Sequence, residues 1–166
     1  MSNVTTFQQL KKEHKFSNDM KLWDLFDSLD SVGIEDSLGL YQGGGFDTGH
    51  WLFQLMGEMK WYGKNFVSQM GVVPLLCYNQ EGHIYSEGMF GGASLWMTEF
   101  RGKPSVMLNY DKEPVFDHFR KVDNNTLLGI VNGKTLSNGK DIVENGKFQF
   151  VYLERVAELP AKFVTT

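Results

Sequence analysis

The sequence predicts a mainly β fold of the α+β class, in which an antiparallel meander curls into a barrel of about eight or nine strands. Helices precede this barrel, and one further helix covers an end of it. The prediction depends on three patterns: helical spacing of apolar residues near the N-terminus, a glycine run followed by a second helical pattern, and short strand-like segments from Trp61 onward.

Two stretches have the apolar spacing of an amphipathic helix, "SNDMKLWDLFDSL" and "HWLFQLMGEMK". The apolar positions of the first are Leu22, Trp23, Phe26 and Leu29. Those of the second are Trp51, Leu52, Leu55, Met56 and Met59. Asp47 or Thr48 is the expected N-cap of the second helix, which we expect to lie across the mouth of a cavity.

The glycines at 43–45 separate the strand-like "GLYQG" from the second helix. Glycine allows a positive φ and a close approach of backbone to its neighbours, so these residues predict a bend between strand and helix. A phosphate cradle is the alternative, but neither of the usual glycine-rich phosphate motifs is present.

Turn-rich breaks divide the rest of the chain into hairpins and so predict which side chains share a face. Turns at 102–103, 112–113 and 124–125 place Asp117 and His118 on opposite faces. The face of Asp117 also carries Leu95, Met97, Glu99, Val106, Leu108, Tyr110, Val115, Phe119, Leu128 and Ile130. The face of His118 also carries Trp96, Thr98, Phe100, Ser105, Met107, Asn109, Phe116, Arg120 and Val131. Neither face is polar, which indicates that both are covered.

Length and composition indicate one domain with a sizeable core, since the chain has 166 residues and is 42% hydrophobic. We divide it into a helical segment, 1–32, a barrel domain, 33–157, and a tail, 158–166. The net charge of −4 gives no reason to expect a nucleic-acid partner. No apolar run could span a bilayer and no signal core is present, so we expect a cytoplasmic protein with no membrane partner. A homodimer is left open.

Several motifs resemble those of the GXWXG-domain family and of the domain of unknown function that usually follows it. They are "GLYQG", "GGFDTGH", "WYGKNF" and "YDKEPVFDHFRKVD", and the resemblance covers residues 33–155. Tyr41 stands where the family has tryptophan. The first motif is also similar to the opening strand of lipocalins and of nitrobindin-like haem barrels, which implies a lipocalin-like barrel with an apolar cavity. The resemblance implies a fold rather than an activity.

One alternative fold also begins with helices and ends in a meander. It is the cone-shaped, NTF2-like α+β fold, in which N-terminal helices pack into a strongly bent sheet. A closed set of eight or more strands would exclude it.

Two histidines, His50 and His118, lie in the most distinctive motifs and are candidate polar contacts for a ligand. We expect the two imidazoles to border a common cavity, although each could instead be a hydrogen-bonded structural residue. The other predicted ligand contacts are aromatic or lie beside His118 in the sheet: Tyr41, Trp61, Trp96, Met107, Asn109 and Phe116.

Asp117 is a candidate acid or base, because burial raises the pKa of a carboxyl group towards neutrality. Tyr110 lies diagonally opposite it in the predicted hairpin, within reach of a hydrogen bond. The structural alternative is a Tyr–Asp hydrogen bond, or an ion pair of Asp117 with Lys64 or Arg120.

Three functions are compatible with these residues. The first is binding of a small apolar or aromatic molecule in the barrel cavity. The second is a cofactor-independent isomerase, lyase or cyclase, with His118, Asp117, Tyr110 and His50 as candidate catalytic residues. The third is a haem-binding barrel with His50 or His118 as axial ligand. No spacing of His, Cys or Asp residues is typical of a metal site, and we expect no cofactor unless haem is bound.

Overall fold

Four helices and nine strands form the chain in the structure, a computed structural model that describes residues 1–165. The helices are α1 (Asn3–Glu13), α2 (Met20–Ser28), α3 (Ile34–Ser37) and α4 (Trp51–Glu58). The strands are β1 (Gly39–Gly45), β2 (Trp61–Ser68), β3 (Gly71–Tyr78), β4 (Ile84–Ser86), β5 (Ala93–Phe100), β6 (Lys103–Tyr110), β7 (Val115–Asp123), β8 (Thr126–Gly133) and β9 (Gln149–Arg155). Within this part of the chain, no helix combines the length and the apolar character that crossing a membrane requires.

Eight of the strands close into an antiparallel barrel in the order β2-β1-β9-β8-β7-β6-β5-β3, with β3 pairing back to β2. The short strand β4 pairs only with β3 and lies outside the ring. Closure leaves the ring without free edges, which is how small antiparallel barrels avoid unpaired backbone. The predicted fold class is therefore confirmed, and the cone-shaped alternative is excluded.

The hairpin register differs from the prediction at two turns. The β5–β6 turn is Arg101-Gly102 rather than 102–103. Both residues have a positive φ, 53° and 79°, as a type I′ turn requires at its two central positions. The change of turn moves the pairing by two residues and leaves every side chain on its expected face. The β6–β7 register is as predicted, with Leu108 opposite Asp117.

A bulge in β7–β8 has a larger consequence. The predicted turn at 124–125 is present, but the register shifts by one residue between Lys121 and Asp123. Phe119 therefore pairs with Gly129, and Leu128 and Ile130 turn to the outside of the barrel rather than to the inside. The expectation was wrong for these two residues and for Val131, which pairs with Asp117 and lines the inside of the barrel.

Two apolar cores lie on opposite sides of the barrel wall. The inner core fills the barrel and includes Leu95, Leu108, Val115, Phe119 and Leu153. The outer core lies between the wall and helices α1 and α2, and includes Phe7, Phe26, Phe46, Leu128, Ile130 and Phe150. Both faces of β7, β8 and β9 are buried for this reason, which explains why the sequence showed no polar face.

The glycines at 43–45 lie inside strand β1, not in a turn, and none has a positive φ. Their role is close approach. A Cβ on Gly43 would collide with the Trp61 ring, and one on Gly44 with the Tyr152 ring. The backbone of β1 thus lets two aromatic rings approach it closely, and the positive φ expected before the helix occurs at Gly49.

Candidate functional site

Helix α4 and the barrel strands line a candidate cavity at one end of the barrel. The cavity has a volume of about 50 Å³ and a mostly apolar wall. Its lining consists of Leu52, Leu55, Met56, Met59, Trp61, Lys64, Leu75, Phe90, Tyr110, Asp117, Val131 and Val151. Two ionisable residues of opposite charge and a phenol therefore lie in an apolar space, where an uncompensated charge is costly.

Lys64, Tyr110 and Asp117 form one hydrogen-bonded group, which we call the inner triad. Lys64 Nζ donates to Tyr110 Oη at 2.7 Å and to the Pro74 carbonyl at 3.1 Å, and it lies 3.3 Å from Asp117 Oδ2. Tyr110 Oη donates to the same Oδ2 at 3.1 Å. The ammonium group therefore has two hydrogen-bond acceptors and one carboxylate counter-charge.

Asp117 Oδ1 has no hydrogen-bond partner among residues 1–165. The Asp117 side chain is 1% exposed and forms part of the cavity wall. A buried carboxylate oxygen without a donor is costly, so it marks either strain or the place of a missing partner. The other such atom in the described chain, Gln149 Oε1, does not belong to the cavity lining.

Burial moves the pKa values of the inner triad in opposite directions. It lowers the pKa of Lys64 and raises the pKa of Asp117, while the attraction between the two charges opposes both shifts. Burial also raises the pKa of Tyr110 well above its ordinary value, so the phenol keeps its proton and can donate it. Both shifts of the ion pair favour transfer of a proton from amine to carboxylate.

His50 is the N-cap of α4, not Asp47 or Thr48. Its Nδ1 accepts from the Leu52 N–H at 3.1 Å, and its Nε2 lies 2.9 Å from the Ile142 carbonyl. Burial lowers the pKa of His50, which keeps the ring neutral with Nε2 as donor. Both nitrogens bind backbone, so His50 holds the cover of the cavity in place without bordering it.

His118 lies on the outside of β7. Its ring stacks on Phe100 with centroids 3.9 Å apart, and its Nε2 lies 3.2 Å from Asn132 Nδ2. Burial lowers its pKa from 6.5 to about 4. Since Asp117 is in the cavity wall, its neighbour His118 must point away from it. The expectation that His50 and His118 border one cavity is wrong.

The other predicted ligand contacts divide between the two sides of the wall. Trp61 borders the cavity with the inner triad, whereas Tyr41 is buried and donates to the Ser37 carbonyl. The remaining four side chains share the outer face with His118, away from the cavity: Trp96, Met107, Asn109 and Phe116.

Lys64 was considered only as a structural partner of Asp117, and the structure makes it a central residue of the site. One sequence pattern could have found it. Lys64 lies two residues before Phe66 in a strand, and period-two alternation puts both on the same face. A lysine that shares a strand face with an aromatic residue inside a barrel is rarely buried without a role.

Neither histidine fits an axial haem ligand. Both ring nitrogens of His50 are engaged with backbone, and the His118 ring is covered by Phe100 outside the barrel. The cavity itself, at about 50 Å³, has no histidine in its lining. A porphyrin would need a different arrangement of both residues.

Comparisons with known proteins agree with this architecture. Residues 24–82 match the family model described as GXWXG protein, and residues 91–155 match the one described as Domain of unknown function (DUF4334). No curated protein matches. The crystal structure of a protein from Thermomonospora curvata is similar, with 31% identity and a TM-score of 0.80 over 94% of this chain and 99% of that one. The chain belongs to the GXWXG protein family, and its GXWXG region is followed by a DUF4334 domain.

Proposed function

We propose that this protein binds a small, neutral and largely apolar molecule inside the barrel, and that Asp117 accepts a hydrogen bond from it. The observation that carries the proposal is the unpartnered Oδ1 of Asp117 in the wall of an apolar cavity. Apolar pockets with one or a few polar anchors are the usual form of a small-molecule site.

The charges of the inner triad favour a neutral ligand. Lys64 and Asp117 compensate each other at 3.3 Å, so a charged group entering the cavity would find no unpaired opposite charge. Lys64 Nζ already donates two hydrogen bonds and lies against the Asp117 carboxylate, and the Tyr110 proton is donated to Oδ2. The open position is an acceptor, which selects a ligand with a hydroxyl or N–H group.

The size of the cavity favours a ligand of few atoms, since about 50 Å³ is available before any side chain moves. Four of the lining residues come from α4 and its C-cap: Leu52, Leu55, Met56 and Met59. Methionine adapts its shape readily, so this side of the wall can adjust to an aliphatic chain.

The test compares two isomers, 1-butanol and diethyl ether, which have the same atoms but differ in their hydrogen-bond donor. We expect 1-butanol to bind about tenfold more tightly, because it alone satisfies Asp117 Oδ1. Methyl NMR titration measures both affinities and identifies the perturbed residues. The shifts should appear at Leu52, Leu75 and Val151 in the cavity.

Two variants make the test specific. In Lys64→Met/Asp117→Leu no ionisable carboxylate or amine remains in the cavity lining, and the Tyr110 hydroxyl can donate to the oxygen of either isomer, so the preference for the alcohol should fall sharply. Asn132→Ala changes only the outer face beside His118, and the preference should remain. Equal affinities of the two isomers for the unaltered protein would contradict the proposal.

A further inference from the structure

Lys64 places a primary amine in the wall of the same cavity. The side chain is 3% exposed, and its Nζ lies within hydrogen-bond distance of Tyr110 Oη and close to Asp117 Oδ2. Of the side chains that line the cavity, this one alone is a nitrogen nucleophile. A binding role that uses Asp117 Oδ1 accounts for Lys64 as the counter-charge of that carboxylate, and leaves the nucleophilic amine unused.

Three conditions make a buried lysine reactive towards carbonyl compounds. The amine must be able to lose a proton, a second group must carry protons to the carbonyl oxygen, and bulk water must be kept away. Asp117 is the adjacent proton acceptor and α4 covers the space. Burial lowers the pKa of Lys64, which favours the unprotonated amine.

We propose that Lys64 forms an imine with a small apolar aldehyde or ketone that occupies the cavity. The inference rests on the proposed binding function and names its substrate class. The carbonyl carbon lies against Nζ, and the apolar chain lies against Leu52, Leu55 and Met56.

The proton balance of the step closes within the inner triad. Asp117 takes one proton from the Lys64 ammonium and returns it to the carbonyl oxygen as the N–C bond forms. It takes a second proton from the same nitrogen and delivers it to the hydroxyl, which leaves as water when the C–O bond breaks. The nitrogen keeps its third proton, so a protonated imine lies beside the carboxylate and the net charge is unchanged. No oxidant or reductant is consumed.

The unpartnered oxygen has a defined place in this sequence. The intermediate that precedes loss of water is a carbinolamine, whose new hydroxyl group is a hydrogen-bond donor. Asp117 Oδ1 is the unpartnered acceptor of a side chain in the cavity lining, and Tyr110 donates to the other oxygen, Oδ2. The feature that selects an alcohol in the binding proposal would therefore also stabilise this intermediate.

Reductive trapping tests the proposal on the intact protein. The protein is incubated with butanal and sodium cyanoborohydride, which converts an imine to a stable butylamine, and peptide mass spectrometry locates the label. We expect Lys64 to be labelled about tenfold faster than the exposed Lys112 and Lys140, because only Lys64 lies in the cavity that holds the aldehyde against its amine. Excess 1-butanol should slow labelling at Lys64 and leave Lys112 unchanged.

The variants separate chemistry from folding. Lys64→Arg should keep a cation in the triad and lose the label at position 64. Asp117→Asn should slow labelling of Lys64 by about tenfold without affecting Lys112, because it removes the proton carrier. Competition by 1-butanol in the unaltered protein decides the matter even if a variant does not fold.

The two proposals fail in different ways. Labelling of Lys64 no faster than of Lys112 overturns imine formation, whatever the variants do. If 1-butanol still binds in the cavity by NMR, the binding function stands without the chemistry. If neither labelling nor alcohol binding occurs at the cavity, both proposals are wrong.

Discussion

Strand β7 buries a charged side chain on each of its faces, and the two side chains differ in how fully their polar atoms are hydrogen-bonded. Asp117 on the inner face is 1% exposed and keeps one oxygen without a donor beside a cavity. Arg120 on the outer face is 2% exposed, lies on the Phe26 ring, and donates to the carbonyls of Phe26, Phe100 and Arg101. A buried charge whose donors find acceptors indicates a structural role, whereas the unpartnered acceptor in the cavity lining is the feature from which we propose a ligand.

Arg120 links the second helix and the β5–β6 turn to the barrel wall. Phe26 belongs to α2, and Phe100 and Arg101 lie at the turn. Arg101 in turn pairs with Asp27 of α2 through both oxygens. The outer core is thus held by polar contacts as well as by aromatic packing, while the inner triad contacts only side chains and the Pro74 carbonyl.

The largest expected effect comes from breaking the inner pair. Asp117→Leu should lower the free energy of unfolding by about 3 to 5 kcal/mol, because Lys64 is left buried without its counter-charge. Lys64→Met/Asp117→Leu should recover most of that loss, since no charge remains. Urea unfolding measures both. Equal destabilisation in the single and double variants would mean that the two residues are not coupled.

Removing the outer cation should cost somewhat less. Arg120→Met removes the guanidinium donors to the carbonyls of Phe26, Phe100 and Arg101, and we expect a loss of about 3 kcal/mol in the free energy of unfolding. The preference for 1-butanol over diethyl ether should not change, because the cavity is on the other face. Lys121→Met, one residue along, is the matched control and should stay within about 0.5 kcal/mol. A changed ligand preference in Arg120→Met would remove the distinction between the two faces.

The smallest effect concerns His118 and appears only in acid. Its pKa falls from 6.5 to about 4 on folding, so its contribution to stability is complete above 6.5 and is lost as the pH falls towards 4. Between pH 7 and pH 5, His118→Gln should lose about 2 kcal/mol less stability than the unaltered protein. Urea unfolding at both pH values tests this. Parallel losses in the two proteins would show that the ring is not held neutral by burial.

Much of the architecture could be predicted from local patterns. The helical spacing around Trp51, the turn-rich breaks after Trp61 and the absence of a polar sheet face were enough for a closed meander with a covering helix. The pairing of Leu108 with Asp117 followed from one turn, and it correctly put Asp117 and Tyr110 on the same face. These features depend on residues that are close together in the chain, so local sequence patterns predict them.

The location of the site depends on strand register and on closure of the barrel, which no local sequence pattern predicts. One unpaired residue in the β7–β8 hairpin reversed the faces of Leu128 and Ile130, because side chains alternate with a period of two. The sequence by itself determined that Asp117 and His118 point in opposite directions. Only closure of the barrel decided which direction was inside, and with it that Lys64, 53 positions earlier in the chain, rather than either histidine, meets Asp117. Burial, which depends on the whole ring of strands, then lowers the pKa of Lys64 and raises the pKa of Asp117.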